Sequence, residues 1–241
     1  MQTNIGELKN YLTVAQEESL PYILSRSIND TMKDVVKVEK ARMRDVFESP
    51  TPWTVNSIYQ TYSNKDDIPI ESRLEFKEFG AGKGTPAWKY LQFQIEGGAR
   101  RHKRYEKALI LRGLMKSSEY TVPAPGVKLN RYGNISAGQI EKMLSNLGAA
   151  EVTAGFTANA SDSKRSKSKR RRMGQYFIPP EGSNLTRGVY WRRGKILKPF
   201  LLIVPRPPQY KKRLDWFEIA EDTINIRFRV HLEKWLDRVN R

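Results

Sequence analysis

The 241-residue chain contains no cysteine and two histidines. The first absence excludes disulfides, thiolate metal sites and a cysteine nucleophile; the second leaves too little imidazole for a His-rich metal cluster. Long apolar runs are missing too. No stretch approaches the roughly 18 apolar residues that a membrane span requires, and the first residues, MQTNIGELKNYL, lack the basic-then-apolar order of a signal peptide. A protein made in the cytoplasm, soluble and without membrane contact is expected. Acidic residues are in short supply: 26 against 43 lysines and arginines, a net charge of +17. Such a field attracts nucleic acid, anionic lipid or acidic protein without choosing among them.

The cations concentrate in one place. Residues 164–172 read KRSKSKRRR, seven cationic side chains in nine positions: Lys164, Arg165, Lys167, Lys169, Arg170, Arg171 and Arg172. Removing them still leaves +10 on the rest of the chain. The run fits three roles: a nuclear address, of low specificity in so short a string; an arm that neutralises phosphates without reading sequence; or a docking arm that orders on an acidic protein. A second cluster, Arg100, Arg101, Lys103 and Arg104 around His102, falls at the start of a helical segment. Positive charge there opposes the macrodipole, a local cost that either a binding role or a simply solvated face accommodates.

Apolar spacing organises the remainder as α+β, a single domain over residues 1–241. Leu24, Ile28, Met32, Val35, Val36, Met43, Val46 and Phe47 recur at three- and four-residue steps, predicting a long helix over about 20–47, opened by Ser19 and Pro21. Pro50 and Pro52 stop it. Segments 55–62 and 72–79 alternate as paired strands. Short helices follow at Thr85-Pro86 to Gly97-Gly98, at about His102–Leu114, and from a Ser136 cap to Gly148. Residues 153–173 carry almost no large apolar side chains and are expected to form a flexible basic loop or arm. Strands are expected at Gln175–Ile178, Gly188–Trp191 and Ile196–Val204, the last at an edge or bulged because of Pro199. A second long helix, about Leu214–Val239, carries a stripe of Phe217, Ala220, Ile224, Phe228, Leu232, Leu236 and Val239. Two long helices thus bracket a strand-rich middle.

Candidate chemistry is sparse. GAGKGT at 80–85 suggests a phosphate loop, but Gly84 rather than Ser or Thr follows Lys83, and Lys77 stands where the first glycine belongs; a flexible turn is the simpler account. Neither His102 nor His231 has a serine or aspartate nearby in sequence to form a nucleophile pair. Asp66-Asp67 and Glu221-Asp222 fit solvated surface. No catalytic residue, metal or cofactor is expected.

Four segments together resemble a family of tailed-bacteriophage virion proteins: residues 20–58, ending in a turn built on Pro50, Pro52 and Trp53; residues 81–115, with a GKGTPA turn at Gly82, Gly84 and Pro86 and the run Gly97-Gly98-Ala99-Arg100-Arg101; residues 123–144; and the basic run with Tyr176-Phe177, Gly188-Val189-Tyr190 and Arg206-Pro-Pro-Gln-Tyr210. They span nearly the whole chain in order. The resemblance is to the minor tail or tail-completion class, with the minor tail protein Z group as the first named comparison. It implies a virion protein at the head–tail junction, a ring of copies docked among portal, adaptor or tail proteins around the channel for double-stranded DNA. It brings structural turns and no catalytic residue. A free, sequence-independent nucleic-acid-binding protein is the alternative, and an enzyme of phage DNA metabolism a third.

Overall fold

The computed structural model describes residues 19–77, 85–151, 159–180 and 182–239. Its class is α+β, as expected, and the chain gathers into two compact units. One is built from residues up to Glu96 and from Lys212 onward, the other from Gly97–Lys211.

In the first unit, helix α1 (Leu20–Val46) runs for 27 residues and packs along α7 (Trp216–Val239). Ser19 makes no side-chain cap; its backbone is already helical. Contact with α7 uses polar pairs between residues about 200 apart: Trp235 Nε1 and Lys234 Nζ each donate to Asp30 at 3.0 Å, and His231 Nε2 sits 3.0 Å from Asp34. His231 therefore has a structural partner. Ser63 is held by Asn29, whose Oδ1 accepts from its N–H and whose Nδ2 donates to its carbonyl, both at 2.9 Å. The side chain thus completes the loop backbone as a strand neighbour would.

The stripe expected on α7 is covered only in part: Ala220, Phe228 and Leu232 are half-buried. Trp216 and Thr223 are the buried residues of α7, while Phe217 is 72 % exposed and Ile224, Leu236 and Val239 are also exposed. The helix is apolar on several sides, so the covered face is rotated from the stripe that periodicity marks and shares only part of it.

After α1, Thr51 Oγ1 accepts from Thr54 N at 3.1 Å and caps a one-turn helix, α2 (Pro52–Val55), with Pro52 at its start where no N–H is needed. The expected strands shrink to β1 (Ile58–Gln60) and β2 (Leu74–Phe76), paired antiparallel. Helix α3 (Trp88–Ile95) follows Pro86. Met43, Ile58, Leu214 and Trp216 form the core. Gly82 and Gly84 of the expected turn lie outside the described residues.

The second unit opens and closes on a two-stranded ribbon, β3 (Gly98–Ala99) against β8 (Gln209–Tyr210). Between them come α4 (Arg104–Leu111), β4 (Tyr120–Pro123), α5 (Ala137–Asn146), α6 (Lys164–Met173), β5 (Gln175–Phe177), β6 (Gly188–Arg193) and β7 (Ile196–Val204). The strands form one antiparallel sheet of order β4-β7-β6-β5. Pro199 stands just beyond the β4 register and opposite the shift between Val189 and Tyr190 in β6, the bulge anticipated for it. Ser136 and Gln139 form the capping box of α5, each accepting from the other's N–H at 3.3 Å. The core joins α4 and α5 to the sheet through Leu109, Met143, Leu144, Val189 and Leu201. Burying each large side chain contributes about 1.5–3 kcal/mol.

Candidate polyanion-binding surface

The basic run is helical. Residues 164–173, expected as part of a flexible loop, form α6, and residues 153–158 of that loop lie outside the described residues. Lysine and arginine are good helix formers, which the absence of apolar side chains obscures. Ser163 Oγ accepts from Ser166 N at 3.2 Å as the N-cap, and Gly174, at φ 83°, ends the helix. Arg170, Arg171 and Arg172 occupy the last turn, where the dipole favours cations. Neighbouring like charges three and four apart work the other way, by about 0.2–0.5 kcal/mol each.

Trp191 of β6 seats this helix end. A Cβ on Gly174 would meet the Trp191 ring at 2.4 Å, so only glycine fits both the backbone angle and the indole. Gly174→Ala is expected to destabilise this unit by about 1–3 kcal/mol, read as a lower melting temperature. An unchanged melt would show that Trp191 moves aside freely.

Six of the seven cations are exposed with no carboxylate partner among the described residues: Lys164, Arg165, Lys167, Lys169, Arg171 and Arg172. Arg170 is the exception. Its guanidinium lies 3.3 Å from Asp162 and donates to the Ser161 carbonyl at 3.1 Å, tying the helix to its own entry. At 100° per residue, Lys164, Lys167 and Arg171 share one outward stripe roughly 10 Å long. Arg165 and Lys169 turn instead toward a groove of about 1170 Å³ shared with α5 and the sheet, where Lys128, Lys142 and Lys198 join them against Glu141.

The second basic cluster does not stay together. Arg100 is 7 % exposed, and its two amino groups donate to Glu106 at 2.7 and 2.6 Å, with Nη2 also reaching the Thr121 carbonyl at 2.8 Å. It is a structural residue and unavailable to a polyanion. Glu106 further accepts from Lys103 N at 2.6 Å and from Thr121 N and Oγ1 at 2.7 Å each. Burial raises the Glu106 pKa, but these donors outweigh it and hold the carboxyl below its ordinary value. His102 stacks on Tyr120 with centroids 4.1 Å apart and bonds the Glu119 carbonyl at 2.9 Å. Arg101, Lys103 and Arg104 remain exposed.

Sequence reasoning missed Glu106, Thr121 and Glu119, the partners that decide this cluster. One signal was legible: Glu106 stands three residues after Lys103 at a helix start, the carboxylate position of a capping box. The groove cations Lys128, Lys142 and Lys198 are isolated in sequence and carry no such signal.

Among the described residues no group of three or more His, Cys, Asp or Glu side chains could hold a metal ion. No described helix is long and apolar enough to cross a membrane. No protein family, curated protein or solved structure matches the chain.

Proposed function

We propose that the chain is a non-enzymatic structural protein of a tailed-phage virion. It acts as an oligomer at the head–tail junction, between portal-side and tail-side proteins, with α6 against packaged double-stranded DNA. One observation carries the polyanion contact: six exposed cations, without carboxylate partners among the described residues, on a single ten-residue helix. Keeping them adjacent costs stability in the free protein, and a phosphate backbone offsets that cost while releasing counterions. The virion location rests on the resemblance of residues 20–58, 81–115, 123–144 and the basic run with its downstream motifs.

Mass spectrometry of purified particles is expected to find the chain at a few copies per virion; its absence there would favour the free nucleic-acid-binding protein, which the same helix serves equally well. Duplex binding should be sequence-independent and fall steeply with salt. Changing Lys164, Lys167 and Arg171 together to glutamine should lower the salt slope of log K by about 3 at roughly 0.9 per phosphate contact. An unchanged slope would remove α6 from the contact.

A further inference from the structure

The first compact unit holds a recess of opposite character. Its volume is about 690 Å³, and its walls include Tyr59 of β1, Glu75 and Phe76 of β2, Trp88 of α3, Glu96 just after α3, and Trp216 of α7. Phe76 and Trp216 stack with centroids 5.2 Å apart and fix one wall. Tyr59 donates to Glu75 at 2.8 Å, and Gln92 donates to Glu96 at 3.0 Å. Both donors are neutral, so they orient the carboxylates without cancelling their charge. Neither carboxylate has a cationic partner within ion-pair distance among the described residues, although lysine and arginine outnumber acids by 43 to 26 in the chain. Trp88 already presents a ring to Lys89 Nζ at 5.3 Å, so the indole works as a cation–π surface.

Aromatic faces attract a cation through their quadrupoles, and a carboxylate beside them supplies the counter-charge. We infer that this recess receives a lysine or arginine side chain of α6 from a second copy of the chain. Charge complementarity selects the occupant: the recess is aromatic and acidic, and α6 is the densest set of exposed, carboxylate-free cations in the described chain. Two different patches would then meet, which makes the contact heterologous, and such contacts generate rings when the rotation closes. The inference rests on the oligomeric part of the function proposed above and gives that oligomer its interface; cations of α6 not held by the neighbouring copy stay open to DNA.

The experiment titrates the full-length chain with a synthetic peptide of residues 163–174 by calorimetry, and follows self-association of the full chain by sedimentation. Glu75→Gln with Glu96→Gln keeps oxygen acceptors for Tyr59 and Gln92 while removing both charges; Trp88→Leu removes a ring. Each variant is expected to weaken peptide binding by about tenfold or more and to weaken self-association in parallel. Duplex affinity should be retained, since the DNA contact lies on the other unit. Should Trp88→Leu fail to fold, the glutamine pair carries the test. Peptide binding and self-association equal to the unmodified chain in the glutamine pair would overturn the proposed interface, leaving the oligomer itself standing. An unmodified chain that neither binds the peptide nor self-associates would overturn it as well, whereas loss of duplex binding alone would strike only the DNA contact.

Discussion

Replacing Arg100 with alanine is expected to cost the second unit about 3–5 kcal/mol, a large part of the roughly 5–15 kcal/mol by which a domain is usually stable. The cost comes less from the lost attraction than from what remains. Glu106 is fully buried, and without Arg100 its carboxylate keeps the donors at Lys103 and Thr121 but loses its bidentate ion-pair partner. Glu106→Ala should be comparably damaging, because it strands a buried guanidinium and orphans the Thr121 N–H together. Arg100→Lys should recover only part of the loss, since a single ammonium cannot span both carboxylate oxygens at 2.6–2.7 Å as the guanidinium fork does. Chemical denaturation monitored on this unit reads the effect. A loss below about 1 kcal/mol would mean that water reaches Glu106 readily. The sign with pH follows from the lowered carboxyl: the stabilisation is complete above the ordinary Glu value and is lost as pH falls through the folded-state value.

The opposite dependence is expected of Glu39. This residue of α1 is 0 % exposed, and neither carboxylate oxygen has a hydrogen-bond partner among the described residues. Burial alone pushes its pKa up from 4.5 to about 8. The folded state therefore holds a proton that the unfolded chain releases near 4.5, and Glu39 reduces stability progressively as pH rises from there toward 8. Over that gap, at about 1.4 kcal/mol per unit, the loss is on the order of 5 kcal/mol. Glu39→Gln or Glu39→Leu should therefore stabilise the first unit at pH 9 by a few kcal/mol and change it little at pH 4, flattening the alkaline side of its stability profile. Equal effects at both pH values would show that the carboxyl is hydrated or paired in solution.

These two residues mark where sequence reading stopped. Three- and four-residue spacing located both long helices, and alternating residues with turn chemistry found the sheet strands, the Ser136 cap and the irregularity at Pro199, because those signals are local. Element lengths came out too long at β1 and β2, where only three residues on each side find a partner. The basic run was placed correctly and given the wrong conformation: lacking apolar residues it reads as coil, while its propensity, its Ser163 cap and the seat of Gly174 under Trp191 make it helical. The face of α7 was found only in part because that helix is apolar on more than one side, so spacing alone had no unique answer. Arg100 looked like its exposed neighbours Arg101 and Arg104; the capping-box position of Glu106 marked a helix start, and only the fold turned that carboxylate onto Arg100.

Composition by itself determined the excess of positive charge, its concentration at residues 164–172, the exclusion of cysteine chemistry and the α+β class. Those properties depend on which residues are present and on their local spacing. Only tertiary structure decided which cations are exposed, which are spent inside the fold, and that two carboxylates without cationic partners among the described residues share a recess with the rings of Tyr59, Phe76, Trp88 and Trp216. Each of those facts depends on side chains from distant segments meeting in space. Burial then sets their charge state by removing water, something no single residue carries in its name.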